Sequence, residues 1–599
     1  MSAPSPVLTG GELVTISITA DGKALDSAYQ VVSVDIWTGV NKLPRARLVI
    51  SDGDPHLATF PISETKTLIP GSPLKIALGY DGKSSEVFSG LIYQQGLEIS
   101  NDGASRLIVD ATDKATVMTL ARKSAIFENT TDSKVISKLI GDAGLEAKVS
   151  ATTPQQPSVV QYYCSDWDLM LTRAQLNGML VIASAGKIVV APPDTSASPV
   201  LTLAYGLSLL EFHAEMDATT QYRASAIHSY AWDPATQAVA GSAAGSSTVS
   251  APGNLSFDQL AQVFGVSDYV QQTGASLAKA DLTAWTSAEL TKSRLAKIRG
   301  EALFQGSALA APGVMVTLEG LGSRFNGDAY VSAVQHSVSD GFWSTRATIG
   351  MAPEWFTERA PAVNAPPASG QLAAMANVQT GVVLKLDGDP AGEFRVQVSL
   401  PLLQAGKLGL WARLASFYAS KEFGAMFYPE VGDEVLLAFM NGDPRFPVIL
   451  GAVYSKKLPP PALPSAANNL KSIVTRSKLR IDFDDKQNAI SIETPDQHSI
   501  RLDDKADQLV IKDKHGNTIT LAGNSIEIKG AGSIAIKAQQ DLSLSATGKL
   551  TLKGSGGVSI AGATIDAKAD ASFAAQGGAS AKLSSSAMVT VQGALVKIN

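Results

Sequence analysis

From Ser525 to Gly562 apolar residues return every eight positions: Ile526, Ile534, Leu542, Leu550 and Val558 share one register, and Ile528, Ile536, Leu544, Leu552 and Ile560 follow two residues later. Side chains two apart lie on one face of a strand, so each pair marks a short strand with a single apolar face. A third register, Gly530, Ala538, Ala546, Gly554 and Gly562, holds only the two smallest residues, which suits a tight corner after each strand. Apolar pairs recur upstream with looser spacing, at Leu479/Ile481, Ile490/Ile492, Ile500/Leu502, Leu509/Ile511 and Ile519/Leu521, and downstream at Val589/Val591 and Val596/Ile598. After Pro495 there is no proline, and Phe573 is the only aromatic residue, as a continuous ladder with a narrow interior requires.

Such a ladder must close. Left in water, ~20 aliphatic side chains would forgo ~1.5 to 3 kcal/mol each, more than the ~5 to 15 kcal/mol net stability of a domain. Either one chain coils with three octads per turn, or three chains each supply one strand per layer of a prism. With layers roughly 4.8 Å apart, about ten octads after Gly523 give a stub of roughly 15 Å alone or a needle of roughly 50 Å as a trimer. Periodicity leaves both open.

A chain of 599 residues exceeds one core, so three or four domains are expected. A net charge of -6 argues against nucleic acid as a partner. The single cysteine, Cys164, excludes a disulfide framework within the chain or a paired-cysteine zinc site and reads as a buried thiol. The start, MSAPSPVLTGGELV, lacks the basic and apolar regions of a signal peptide, and no stretch approaches ~18 uninterrupted apolar residues.

Two proline-rich joints, Arg359 to Gly370 and Lys456 to Ala467, divide the chain into 1–360, 371–456 and 468–599. The first part reads as mostly strand, with alternating runs such as Leu13 to Thr19, Ala46 to Ile50 and Leu74 to Leu78. Asp132 or Ser133 is expected to cap a helix through Ile140 that stops at Gly141 or Gly144, and further helices are expected from Trp167 to Leu176 with a stop at Asn177-Gly178 and near Ala288 to Ile298. Gly241 to Asn254 is small and polar and reads as a loop. Five candidate strands between Gly381 and Tyr454 fit an oligonucleotide/oligosaccharide-binding (OB) type barrel, read as a spacer because its arginines are scattered. Gly432-Asp433 starts one strand, Asn441-Gly442-Asp443-Pro444 reverses it, and Gly451 lies in the next.

The stretch from Pro429 to Ser455, PEVGDEVLLAFMNGDPRFPVILGAVYS, resembles the signature of VgrG-type spike proteins and phage baseplate assembly protein V. Trp411-Ala412-Arg413 and Phe427-Tyr428-Pro429 match the same pattern, Ser165 to Val181 and Gly306 to Gly350 resemble the hub of these spikes, and Val589 to Asn599 resembles their blunt needle end. The resemblance implies a mainly β chain: a gp27-like hub of β-barrel domains with a few helices, an OB-fold barrel, and a C-terminal trimeric intertwined β-helix, or β-prism. It implies a homotrimeric central spike of a contractile, phage-tail-like injection system. The hub would dock the inner tube protein among other baseplate proteins, and the needle would pierce the target cell envelope. A PAAR-like tip protein would sit on Val596, Ile598 and Asn599, since no histidine follows His515 to build a metal tip. The machine expected is an extracellular particle assembled in the bacterial cytoplasm, with a type VI secretion VgrG or a phage tail spike as alternatives. The chain's end at Asn599 is expected to leave the needle without a fused effector.

Catalytic motifs are scarce. There is no His-Glu-x-x-His helix and no Gly-x-Ser-x-Gly elbow, and Gly82-Lys83-Ser84 lacks the first glycine of a phosphate loop because Ala77 stands there. The pairs Asp484/Asp485 and Asp503/Asp504 imitate the acid/base groups of a glycan-cleaving β-helix, but neighbouring Lys486 and Lys505 favour solvated loops. No cofactor, metal or enzymatic activity is expected. The competing class is a polysaccharide-degrading β-helical tailspike, which the aromatic-poor ladder disfavours.

Overall fold

The computed structural model describes residues 3–7, 13–101, 103–233, 235–354, 356–360, 363, 366–401 and 409–598. They form two compact units, Met1–Val453 and Tyr454–Asn599. The chain is mainly β with few helices.

The first unit is built on a 13-stranded sheet. Alternation explains its strands: in Arg45–Ser51, Ala46, Leu48 and Ile50 are buried and the residues between them face outward. Two cores lie along this sheet. One gathers Ile36, Leu48, Ile76 and Trp343, and the other Phe304, Val316, Val331 and Ile349. They meet where Gly327–Ser339 pairs antiparallel with Val31–Gly39, so strands about three hundred residues apart lie side by side in this sheet.

A helical layer fills the interval between the two halves. Ser165 caps helix Asp166–Leu176 through the Asp168 N–H at 3.1 Å, and the chain leaves at Asn177-Gly178, where Gly178 has φ +66°. Helix Asp132–Asp142 is held to it by Arg173, which grips Asp132 with two bonds of 2.6 and 3.0 Å, while Asn177 adds a third of 2.7 Å. Both pack on the sheet of Glu146–Val149, Leu180–Ser184 and Lys187–Ala191, over a core that includes the buried Cys164.

Three expectations change here. The third helix runs from Lys279 to Leu295 rather than from Ala288 to Ile298, and Ile298 opens a strand. Its first half, KADLTAWTS, has too little apolar periodicity to announce a helix, yet Asp281 and Thr286 are buried there. The expected loop at Gly241 begins inside strand Ala238–Ala243, because pairing with Ile227–Asp233 overrides the low strand propensity of alanine and glycine. Helix Phe257–Phe264 was not foreseen, although Ser256 and Gln259 make a reciprocal capping box and Gly265 ends it at φ +60°.

Strands Gln379–Lys385, Val396–Ser399, Leu410–Leu414, Pro447–Ala452 and Glu434–Phe439 close into a barrel in that spatial order. Its core is Val383, Val396, Val398, Leu400, Ala412, Val435, Leu437 and Ile449.

In the second unit, Leu470–Val474, Arg480–Asp484, Ala489–Glu493, Ser499–Asp503, Gln508–Lys512, Thr518–Ala522 and Ser525–Lys529 pair in sequence order as an antiparallel meander. The upstream apolar pairs are therefore strands of hairpins within one chain, not looser octads. Their spacing of nine to eleven residues is a five-residue strand plus a turn. Beyond Gly530 the pattern changes. Bends fall at residues 531–532, 539–540, 547–548 and 555–556 and at 563, each directly after a member of the small-residue register. Further bends at 570–571, 578–579, 586–587 and 594 carry the spacing of about eight past Gly562. No strand pairing occurs in residues 531–598, and every side chain there is exposed.

Candidate functional site

Among the described residues no pocket is lined by convergent reactive groups, and the candidate features are surfaces. Alternation in the meander sorts its residues onto two faces. One cross-strand row is Ile473, Ile481, Ile492, Ile500, Ile511, Ile519 and Ile528; beside it runs Phe483, Ile490, Leu502, Leu509, Leu521 and Ile526. Nine of these side chains, among them Ile492, Ile500 and Leu502, are 37–47% exposed within one chain. A groove of about 580 Å³ lies over part of this face, lined by Ile492, Ile500, Ile511, Ile519, Ile528 and Ile534.

The opposite face is mostly polar and carries cross-strand hydrogen bonds. Arg501 donates to Asp503 at 2.7 Å and to Ser491 at 3.0 Å, and Ser472 donates to Asp482 at 2.5 Å. This settles the role of the acidic pairs. The Asp484 carboxylate accepts from the Lys486 and Gln487 N–H groups at 2.9 and 3.1 Å, and Asp485 pairs with Lys471. The Ala506 N–H and the Arg501 guanidinium hold Asp503 below the usual carboxylate range. Asp484 and Asp503 close hairpin turns by accepting from the backbone N–H groups that follow them, and Asp485 pairs with a lysine of the preceding strand.

The ten octad residues, Ile526, Ile528, Ile534, Ile536, Leu542, Leu544, Leu550, Leu552, Val558 and Ile560, are 54–71% exposed. Val596 and Ile598 are exposed as well; Asn599 lies outside the described residues. The octad glycines are not the positive-φ positions expected of tight corners. Gly557, one residue past a bend, takes φ +146°, whereas Gly530, Gly554 and Gly562 do not adopt positive φ. Gly530 and Gly554 are small for another reason: a Cβ at Gly530 would stand 2.7 Å from Ile534, and one at Gly554 would stand 2.3 Å from the Gly557 carbonyl.

In the barrel, Gly432 adopts φ +93° and donates to the Val383 carbonyl at 2.9 Å, while the Asp433 carboxylate accepts from the Glu430 N–H at 2.8 Å. Together they launch strand Glu434–Phe439. The reversal that follows uses Asn441 and Gly442 at φ +54° and +68°, then Asp443 and Pro444. Arg445 grips Asp443 through its backbone N–H at 2.9 Å and its guanidinium at 2.7 Å, which holds the carboxyl below its ordinary range. Gly451 pairs with Leu436 in the final strand. Arg395 likewise pairs with Asp389 at 2.7 Å and holds it well below the carboxylate range.

Lys83 lies in a strand after the Asp81-Gly82 turn, where Gly82 has φ +76°, so Gly82-Lys83-Ser84 is a hairpin turn. Among the described residues no group of three or more His, Cys, Asp or Glu side chains is placed to hold a metal ion. No helix among them is long and apolar enough to cross a membrane.

Two family models match. Residues 10–340 match the Alg8 N-terminal domain, and residues 379–454 match the Type VI secretion system/phage-baseplate injector OB domain. The chain is 42% identical over 59 residues to the type VI secretion system spike protein VgrG3 of Vibrio cholerae, covering 10% of this chain and 6% of that protein. It is 32% identical over 106 residues to the spike protein VgrG1a of Pseudomonas aeruginosa, covering 17% of this chain and 14% of that one. The matched stretches therefore span a small part of these relatives' length. A solved E. coli protein, described as a component of the type VI secretion system with structural similarity to the T4 bacteriophage tail proteins gp27 and gp5, aligns over 73% of this chain and 99% of its own, with 15% identity and a TM-score of 0.38.

Proposed function

The chain belongs to the Alg8 N-terminal domain family through residues 10–340 and to the VgrG and phage-baseplate spike family through its barrel, and on that premise we propose that it is the homotrimeric central spike of a contractile injection machine. In this reading 1–360 is the hub that docks the inner tube among baseplate proteins, 371–456 narrows it as an OB-fold domain, and 468–599 is the needle. Val596, Ile598 and Asn599 receive a PAAR-like tip protein.

One observation carries the reading furthest: a C-terminal segment bends about every eight residues, presents aliphatic pairs in register, and pairs with no strand among the described residues. Backbone and side chains alike remain unsatisfied until other strands arrive. Three copies supply one strand each per layer. The base is built differently, since each chain has already folded a whole meander there. Three such sheets, apolar faces inward, make a prism that continues into the shared octads.

The mechanism is mechanical. Contraction drives tube and spike forward, and a rigid prism breaches the envelope without breaking a covalent bond. Fractionation of producing cells tells which machine is served, an extracellular particle as the sequence reading expects, or a type VI apparatus or phage tail. The direct test is the mass of the full chain by light scattering, with the needle measured by electron microscopy. A particle of three chains with a needle of roughly 50 Å beyond Gly523 is expected. A compact monomer with a stub of roughly 15 Å would refute the proposal.

A further inference from the structure

The barrel carries an apolar surface that its own core does not use. Between strands Leu410–Leu414 and Glu434–Phe439 the chain makes a small hairpin, Ala419–Ser420 pairing with Phe423–Gly424. On and around it Phe394, Phe417, Tyr418, Phe423, Met426 and Phe427 are 56–88% exposed. This is not a floppy loop. The Ser416 hydroxyl reaches the carbonyls of Tyr418 at 3.1 Å and Ala425 at 2.9 Å, and the Ala425 N–H donates to the Tyr418 carbonyl at 2.8 Å. The Tyr418 and Phe423 rings contact at 6.0 Å, and the Tyr428 hydroxyl donates to the Phe394 carbonyl at 3.1 Å. Gly424 takes φ +141°, and a Cβ there would stand 2.6 Å from the Tyr418 carbonyl, so the hairpin's shape is demanded by its sequence.

An ordered hairpin that holds aromatic rings in water is built to be covered. The area is telling. Six side chains of this size, each more than half exposed, present on the order of 800 Å², above the ~300–600 Å² largest patch of an ordinary monomer and equal to the ~800 Å² per partner of a standard interface. Between Ser416 and Tyr428 the only charges are Lys421 and Glu422, so identical copies meet there without repulsion. The barrel's last strand, Pro447–Ala452, is followed, across residues 453–469, by the meander's first strand, Leu470–Val474. Chains joined through the meander and octads would hold their barrels at high effective concentration.

We propose that this aromatic hairpin docks onto the barrel of a neighbouring copy of this chain, head to tail around a closed ring of three, so that the trimer is clamped at the barrel independently of the needle. The inference rests on the homotrimer proposed above. It adds a contact that the needle's periodicity does not require.

The test incorporates the photoreactive residue p-benzoylphenylalanine at Phe417 of the full chain, with the same residue at exposed Lys385 as control. After irradiation of purified protein, the Phe417 sample is expected to give denatured species at two and three times the 62.4 kDa chain mass, and the Lys385 sample to remain monomeric. Adding Phe423→Ser should remove most of the crosslinked species. Light scattering before irradiation separates the two claims. Trimers that form no crosslink between copies at Phe417 would overturn the barrel clamp and leave the spike reading intact, marking the hairpin as the seat of another baseplate protein. A monomeric chain would overturn both.

Discussion

Ile500 sits in the middle of the meander's isoleucine row, with Ile492 opposite it on one side and Ile511 on the other. Within one chain it is 39% exposed. If three such faces close on each other, covering that remainder contributes about 1 kcal/mol per copy, from ~1.5 to 3 kcal/mol for burying a whole isoleucine. Ile500→Asp removes that contribution and places a carboxylate in a dry layer, at several kcal/mol per ion. Repeated in three copies, the change costs assembly on the order of 10 kcal/mol, or roughly seven orders of magnitude in the association constant. Light scattering of the full chain at micromolar concentration should therefore find monomers. Val510→Asp is the matched control, since Val510 lies on the opposite face between Arg501 and Thr520 and should assemble normally. Ile500→Asp trimers with the parent's mass and thermal midpoint would show that the apolar face does not line the interior.

Three further perturbations follow from the structure. Leu542→Asp should place three charges in one octad layer and abolish trimers, whereas a solenoid of one chain would bury a single charge and keep its mass. His336, buried against Trp343 and bonded to the Thr345 hydroxyl at 2.9 Å, has its pKa pushed down by burial from 6.5 to about 4. The unfolded chain then binds a proton that the folded hub refuses, so stability is complete above about pH 6.5 and falls by about 3 kcal/mol on acidification to about pH 4; calorimetry of His336→Gln should show this component removed. Gly306→Ala would set a Cβ 2.0 Å from the buried Trp343 ring and should cost the hub ~1 to 3 kcal/mol in urea unfolding followed by tryptophan fluorescence.

What could be read from sequence depended on whether the signal was local. The barrel's turn at Gly432-Asp433 and its reversal at Asn441-Gly442 announce themselves because few residues tolerate those backbone angles. The stop of helix Asp166–Leu176 at Asn177-Gly178 was legible for the same reason, whereas the sequence reading misses its Ser165 cap and starts it one residue late, at Trp167. The long sheet of the hub was not. Its key joint, Val34 beside Val338, links positions about three hundred residues apart, and nothing in either strand names the other. The neighbouring lysines mark the acidic pairs of the meander as loop charges, but the backbone N–H groups that Asp484 and Asp503 accept from are seen only in the structure. Octad registers and their small-residue corners were visible in sequence; the structure sets each bend just after the small residue and carries the spacing to residue 594.

The change of construction at Lys529 and Gly530 also orders events in time. Every strand pairing of the meander joins strands adjacent in sequence, so each chain can form it alone, at the microsecond rate of hairpins. In the proposed spike the octads have no such local route, because there their partner strands belong to the other two chains. In the proposed spike, three prefolded bases meet first and fix which residue of one chain faces which residue of the next. The prism then zips outward one layer at a time, each completed layer templating its successor. A repeat that could slip by eight residues is thus kept in frame by a segment that does not repeat.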